Sequence, residues 1–130
     1  MRILIIDDEI AALTKMKILL TPYGKCTLCT NGVQALKIYS KAIDDQQPFD
    51  LITIDIHLGE VNGNELLGQI IQLETDKNVP VVKKIMVTAS GTAENLVTAY
   101  GKGCDAFLVK PIKRDALDQK MSALGYTKQE

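Results

Sequence analysis

The stretch Leu51-Ile52-Thr53-Ile54-Asp55-Ile56-His57-Leu58-Gly59 decides the fold of this chain. It begins as an apolar run rich in β-branched residues, and such a run is typical of a strand buried on both faces, as in parallel sheets. A carboxylate is costly to bury unless it is paired or lies at the exposed end of the strand. We therefore place Asp55 at the carboxyl end of a central strand, the edge at which open α/β sheets bind ligands.

Length and composition predict one ordinary globular domain. The chain has 130 residues, of which 46% are hydrophobic and 24% are charged, and this size can bury a core without disulfides. The net charge of -1 argues against a nucleic-acid-binding protein that works through overall basicity. The apolar run at residues 3–6 is too short for a signal peptide or a membrane span, so a cytoplasmic location is expected.

The three cysteines are interpreted as small hydrophobic residues. An odd number of cysteines suits a reducing compartment. Cys26 and Cys29 form a C-x-x-C pattern, but no second pair or Cys/His cluster completes a zinc site. The pattern also lies in a predicted strand, where residues three apart point to opposite faces. Cys104 stands alone, so neither metal binding nor redox chemistry is expected.

Five predicted strands alternate with five predicted helices. The strands cover residues 3–6, 25–30, 50–55, 81–87 and 105–109. The helices cover residues 9–20, the segment after the Asn31-Gly32 turn, the segment from a cap at Asn62 to Leu73, and residues 92–102 and 113–124. Loops are predicted at residues 44–48, 59–63 and 74–80.

This alternation predicts parallel strands joined by right-handed crossovers. The expected fold is a flavodoxin-like, doubly wound α/β sandwich of three layers, whose five-stranded parallel sheet has the order 2-1-3-4-5. One domain is expected over residues 1–125, followed by a short tail at residues 126–130.

Polar side chains end four of the five predicted strands. Asp7 and Asp8 follow the first strand, Asp55 ends the third, Thr88 follows the fourth and Lys110 follows the fifth. Strands 1 and 3 are neighbours in the predicted order, so three carboxylates crowd together and oppose one another's ionisation. A divalent cation relieves this repulsion, and Mg²⁺ prefers carboxylate oxygens and often binds phosphate. The sequence therefore predicts a phosphoryl site, while both common glycine-rich nucleotide motifs are missing from it.

Taken in order, these residues make positions 1–125 resemble the receiver domain of two-component response regulators, the CheY-like family. The matching pieces are Asp7-Asp8-Glu9, Asp55, Asn62-Gly63, Thr88-Ala89 and Lys110-Pro111. The resemblance implies a cytoplasmic, bacterial phosphoprotein of a phosphorelay. Its partner would be a sensor histidine kinase or a histidine phosphotransfer protein. It also implies that the chain is no enzyme beyond promoting its own phosphorylation and dephosphorylation.

The resemblance implies roles for the acidic residues. Asp55 is the phosphoacceptor, whose carboxylate attacks the phosphorus of a phosphohistidine. Asp8, Asp55 and the backbone carbonyl of His57 bind Mg²⁺ directly, and Asp7 acts through metal-bound water.

It also implies how the signal leaves the site. Lys110 pairs with one phosphoryl oxygen, Thr88 hydrogen-bonds another, and the small Ala89 leaves room for the group. Phe107 then turns inward, and the face of helix 4, strand 5 and helix 5 changes its affinity for an unknown downstream protein. The peptide bond before Pro111 is expected to be cis, because proline lowers the cost of that isomer.

Three features depart from the common family pattern. Leu58-Gly59 stands where the family often has Met-Pro, and glycine makes this loop more permissive. Phe107 lacks the hydroxyl of the more usual tyrosine. His57 and Ser90 occupy the two positions that vary with phosphoryl lifetime in the family, and we hypothesise that His57 shields or orients the hydrolytic water.

Alternative interpretations remain open at this stage. A haloacid-dehalogenase-like phosphatase also uses an Asp nucleophile and Mg²⁺, but it needs an Asp two residues later, where this chain has His57. A receiver-shaped interaction module that is never phosphorylated is a second alternative. A third is a fragment of a longer, DNA-binding response regulator.

Overall fold

Five parallel strands form the central sheet of the computed structural model, which describes residues 1–59 and 61–129. In chain order the elements are β1 (Arg2–Ile6), α1 (Ile10–Leu20), β2 (Lys25–Cys29), α2 (Gly32–Asp44), β3 (Leu51–Asp55), β4 (His57–Leu58), β5 (Val61–Asn62), α3 (Gly63–Asp76), β6 (Lys83–Thr88), α4 (Ala93–Gly101), β7 (Ala106–Val109) and α5 (Arg114–Ala123). The sheet order is β2-β1-β3-β6-β7. Since β4 and β5 form a separate small sheet, this is the predicted order 2-1-3-4-5, and the fold prediction is confirmed.

The segment at residues 59–63, predicted as a loop, belongs in part to a short hairpin. His57 pairs with Asn62 and Leu58 with Val61 in an antiparallel arrangement. Gly59 has a φ of 63°, a left-handed conformation that glycine adopts without steric cost. The loop prediction was wrong here because a two-residue strand carries too little sequence pattern to be recognised.

The connection between α3 and β6 lies later in the chain than predicted. Helix α3 continues to Asp76, and β6 begins only at Lys83 rather than at Val81. The reason lies in Glu74, which is fully buried and accepts a hydrogen bond from the Val82 N–H at 2.9 Å. The Val82 N–H is therefore hydrogen-bonded to a side chain rather than to a neighbouring strand.

The core consists of two apolar layers, one on each face of the sheet. Along β1, Ile3 and Ile5 face the layer of α1 and α5, whereas Leu4 and Ile6 face the layer of α2, α3 and α4. This is the alternation that a strand imposes on successive side chains. Helix α4 is the most loosely anchored helix, since Ala99 is its one buried residue.

The cysteines follow the same partition. Cys29 packs in the layer of α2 to α4, and Cys26 packs against the opposite layer. All three cysteines are free thiols. The two cysteines of the C-x-x-C pattern therefore lie on opposite faces of the sheet. This is the arrangement that the strand prediction required.

A buried ion pair lies at the amino-terminal end of β6, and the sequence analysis did not predict it. Lys84 and Glu74 are both fully buried, and their Nζ and Oε1 atoms are 2.8 Å apart. The other Glu74 oxygen accepts a hydrogen bond from the Tyr39 hydroxyl at 2.7 Å. Lys84 Nζ also donates to the Val82 carbonyl at 2.6 Å. This cluster joins α2, α3 and β6.

In the part of the chain that the structure describes, no helix combines the length and the apolar character needed to cross a membrane.

Candidate functional site

Three carboxylates meet at the carboxyl ends of β1 and β3. Ile6 and Ile54 are partners in the parallel register, so the residues after them emerge side by side. Oxygen atoms of Asp7, Asp8 and Asp55 all lie within 4.8 Å of one another. Asp7 and Asp55 are buried and Asp8 is exposed. The predicted convergence of these residues, which we call the acidic cluster, is confirmed by the geometry.

Each of the two buried carboxylates accepts a hydrogen bond from the backbone N–H two residues later in the chain. Asp7 Oδ1 accepts a bond from the Glu9 N–H at 3.0 Å. Asp55 Oδ1 accepts a bond from the His57 N–H at 3.1 Å. Each side chain therefore folds back on the chain just beyond it, which leaves its second oxygen free to face the cluster.

Lys110 reaches these second oxygens from the end of β7. Its Nζ atom lies 2.8 Å from Asp7 Oδ2 and 3.0 Å from Asp55 Oδ2. Burial by itself lowers the pKa of Lys110, but its hydrogen bonds to the two carboxylates outweigh burial and raise that pKa above the ordinary value. Lys110 is therefore firmly protonated and links β7 to β1 and β3.

Asp55 is harder to ionise than an ordinary aspartate. Burial is the main cause that raises its pKa, and the charge of Asp7 adds to it, while the bonds from Lys110 and the His57 N–H lower it only partly. Lys110 supplies one ammonium group against the three carboxylates of the acidic cluster, and it pairs with two of them, Asp7 and Asp55. A bound cation would offset the cost of burying the charged form of Asp55.

The acidic cluster fits a hard divalent cation. Its donors are carboxylate oxygens, which Mg²⁺ prefers, and oxygens of all three carboxylates lie within 4.8 Å of one another. Asp7, Asp8 and Asp55 are the residues that would hold it.

Thr88 completes the site at the end of β6. The residue is fully buried, and its Oγ1 accepts a hydrogen bond from the Ser90 N–H at 3.1 Å. The Lys110 N–H donates to the Thr88 carbonyl at 2.7 Å, so the two predicted phosphoryl-binding residues are adjacent along neighbouring strands. Ala89 is exposed beside them.

The family model of the response regulator receiver domain matches residues 3–122. The chain belongs to this family. It is 32% identical over 117 residues to the chemotaxis protein CheY of Listeria monocytogenes, a match that covers 88% of this chain and 90% of that protein. It is 34% identical over 118 residues to the two-component response regulator ARR14 of Arabidopsis thaliana, covering 90% of this chain. The chain spans only 29% of the length of ARR14.

A solved structure supports the same receiver domain fold. It is a co-crystal structure of the Saccharomyces cerevisiae histidine phosphotransfer protein Ypd1 with the receiver domain of its downstream response regulator Ssk1. The match has a TM-score of 0.81 and 25% sequence identity, and it covers 96% of this chain and 88% of that chain. The haloacid-dehalogenase-like alternative is not retained, since the family match extends over nearly the whole chain.

The remaining predicted residues of the receiver domain take diverse positions. Phe107 is 4% exposed and packs in the apolar layer of α2 to α4. The side chain of His57 is exposed, and Ser90 is half-buried. The peptide bond between Lys110 and Pro111 is cis, as the resemblance implied. The roles in signalling and phosphoryl lifetime that were assigned to Phe107, His57 and Ser90 stay predictions.

The sequence analysis overlooked a cavity that adjoins the acidic cluster on the side of α1. Thr53, which lines it, is 1% exposed. A hydroxyl in the middle of an otherwise apolar strand was the one signal in the sequence that pointed to it.

Proposed function

We propose that this receiver domain accepts a phosphoryl group on Asp55 from a phosphohistidine and thereby switches a protein-interaction face. The observation that carries the proposal is the bridge from Lys110 to Asp7 and Asp55 at 2.8 and 3.0 Å within the acidic cluster. The donor is a sensor histidine kinase or a histidine phosphotransfer protein. The pairing of the Ssk1 receiver domain with such a protein supports this choice of donor.

The transfer requires an ionised Asp55. Its carboxylate oxygen attacks the phosphorus, a new O–P bond forms, and the P–N bond to the partner's histidine breaks. The electron pair of the broken bond stays on the histidine nitrogen. Because the pKa of Asp55 is raised, a cation at the acidic cluster favours the reactive form. Lys110, already protonated, pairs with an oxygen of the arriving group.

The residues of the acidic cluster would hold Mg²⁺ during this reaction. Bound Mg²⁺ supplies neutralisation of the negative charge that gathers on the phosphoryl oxygens. Asp8 and Asp55 would bind the ion directly together with the backbone carbonyl of His57, and Asp7 would act through water.

The output side of the proposal rests on exposed apolar residues of α4 and β7. Leu96, Val97 and Tyr100 on α4 are 40%, 69% and 42% exposed, and Val109 on β7 is 45% exposed. Contiguous exposed apolar side chains mark sites of protein contact. In this proposal Thr88 turns toward the phosphoryl group, and the face formed by α4, β7 and α5 responds by binding or releasing a downstream protein.

The proposed protein acts in the cytoplasm and catalyses only its own phosphorylation and dephosphorylation. A second candidate is the receiver portion of a longer, DNA-binding response regulator. The length of ARR14, of which the chain spans 29%, favours a longer parent protein. A role in transcription is favoured by the transcriptional regulatory protein ZraR of Klebsiella oxytoca, to which the chain is 31% identical over 128 residues and of which it spans 27%.

Intact mass spectrometry after incubation with acetyl phosphate tests the proposal. The native chain should gain the mass of one phosphoryl group with Mg²⁺ and none without it. Asp55→Asn should gain none, and the matched control Asp45→Asn, at an exposed carboxylate, should behave like the native chain. If the native chain gains no mass and also does not bind beryllium fluoride, a stable mimic of the acyl phosphate, the interaction module that is never phosphorylated is the better interpretation.

A further inference from the structure

An open cavity of about 410 Å³ beside α1 forms one side of the phosphoryl site. Its lining includes Asp55 and Lys110 of that site, together with Ala12 and Lys15 of α1. Lys15 is exposed, so its ammonium group is accessible to a molecule in solution. A phosphoryl donor that approaches Asp55 from the side of α1 therefore passes this lysine.

The geometry of α1 directs the Lys15 side chain toward the acidic cluster. The helix begins at Ile10, directly after the loop that holds Asp7 and Asp8, so its amino-terminal end adjoins the cluster. At a rise of about 1.5 Å per residue, the backbone of Lys15 lies about 7.5 Å along the axis from Ile10. Side chains on a helix tilt toward its amino terminus, so Lys15 points back toward the site. One turn earlier on the same face is Ala12, whose methyl group does not block a long side chain.

Lys15 differs from Lys110 in that its charge is unpaired among the described residues. Lys110 Nζ is engaged with both carboxylates of the lining, at 2.8 Å from Asp7 and 3.0 Å from Asp55. Lys15 takes part in none of the ion pairs of the described chain. Its own helix offers no carboxylate three or four residues away, where a partner would have to lie. The Lys15 ammonium group is therefore available to an anionic ligand.

On the basis of the proposed phosphorylation of Asp55, we propose that Lys15 binds the departing carboxylate of an acyl phosphate donor. An Asp55 oxygen attacks the phosphorus and a new O–P bond forms, while the P–O bond to the acyl group breaks. The electron pair of the broken bond stays on the acyl oxygen, so a carboxylate anion leaves and no proton is needed. Lys110 pairs with the phosphoryl group, and Lys15 supplies the second cation, which meets the charge of the leaving group.

This role makes the effect of Lys15 depend on the leaving group. Phosphoramidate that is protonated on nitrogen releases neutral ammonia, which gains nothing from a neighbouring ammonium group. Acetyl phosphate releases acetate, which an ammonium group attracts. Lys15 should therefore increase the rate with acetyl phosphate alone, by about fivefold, the upper range for an ion pair at an exposed position.

Initial rates of phosphorylation, timed by intact mass in the presence of Mg²⁺, test this role. Each donor is used where the rate rises linearly with its concentration, which gives a second-order rate constant. Lys15→Gln should lower the constant for acetyl phosphate about fivefold and leave that for phosphoramidate unchanged. High salt should reduce this difference, because it screens exposed charges. Lys15→Arg keeps the positive charge and should retain the native ratio of the two constants.

A matched control and the ratio of the two constants separate this role from a structural one. Lys17→Gln, the same change at an exposed lysine of α1 outside the described lining of the cavity, should leave both constants unchanged. The inference is overturned if Lys15→Gln loses equally with both donors or with neither, or if Lys17→Gln shows the same selective loss. The native chain tests the proposed function separately, since a native chain that neither donor phosphorylates overturns that function and this inference with it.

Discussion

Replacing Glu74 by glutamine tests what holds the amino-terminal end of β6 in place. The native carboxylate accepts hydrogen bonds from Tyr39, Val82 and Lys84 at 2.7, 2.9 and 2.8 Å. Glutamine keeps the shape of this side chain but removes its charge. Among the described residues, the fully buried Lys84 ammonium then has no ion-pair partner left.

The expected loss of stability is large. Removing one partner of a buried ion pair costs about 3–5 kcal/mol, because the other charge stays buried without compensation. With an unfolding entropy of about 2.1 cal/mol/K per residue, 1 kcal/mol corresponds to about 4 °C for a chain of this length. Glu74→Gln should therefore lower the thermal midpoint by about 10–20 °C.

Two further variants show whether charge is the cause. Asp45→Asn breaks the exposed ion pair with Lys41, whose side chains are 53% and 77% exposed, and should cost about 0.5 kcal/mol or less. The double variant Glu74→Gln with Lys84→Met removes the stranded ammonium and should regain most of the loss. Circular dichroism melts and urea titrations at neutral pH measure all three variants.

Two outcomes would refute the reasoning. If Glu74→Gln costs no more than Asp45→Asn, the cluster is not isolated from solvent. If the double variant is as unstable as the single one, the loss comes from the hydrogen bonds of Glu74 and not from an uncompensated charge.

The phosphoryl site and its surroundings give three more predictions. Asp55→Asn should raise the thermal midpoint at neutral pH without divalent ions, because burial raises the pKa of Asp55 and so penalises its charged form. The gain should shrink as the pH falls through that raised pKa toward the ordinary value of 3.8, and a gain independent of pH would contradict this cause. An inward turn of Phe107 on phosphorylation requires a more exposed ring beforehand, whereas Phe107 is already only 4% exposed. With 4-fluorophenylalanine at the two Phe positions, we therefore expect Phe107 to show a small solvent isotope shift on its fluorine signal with and without beryllium fluoride, like the buried control Phe49. A large shift in either state would show that the ring leaves the core, which costs about 2 kcal/mol. His57→Ala should change the half-life of the phosphorylated protein severalfold, and an unchanged half-life, timed by intact mass, would rule out a role for this side chain.

Much of the fold and of the site could be predicted because local pattern and global topology agree. The apolar run before Asp55, the carboxylates after β1 and the alternation of strands and helices each indicated the same parallel sheet. Once the strand order was set, the ends of β1, β3, β6 and β7 had to meet at one edge. Asp7, Asp55 and Lys110 therefore came together as predicted.

The features that were missed depend on contacts between residues distant in sequence. Lys84 lies in the middle of the predicted strand 81–87, and only the fold shows that Glu74 is buried against it. A second contact of Glu74, the hydrogen bond from the Val82 N–H, explains why the α3–β6 connection lies later in the chain than predicted. The cavity beside Thr53 likewise arises from the spacing between α1 and the Lys110–Pro111 loop, which no local pattern encodes.

The buried pair of Lys84 and Glu74 also determines which part of the domain is able to move. Strand β6 has this pair at one end and Thr88 at the other, so a signal cannot travel by sliding the strand along its axis without breaking a buried ion pair. The segment after Thr88, namely the β6–α4 loop and α4, has no comparable anchor, since Ala99 is the one buried residue of α4. In the proposed function, phosphorylation would therefore be read out as a local reorientation of α4 relative to a strand β6 that keeps its position.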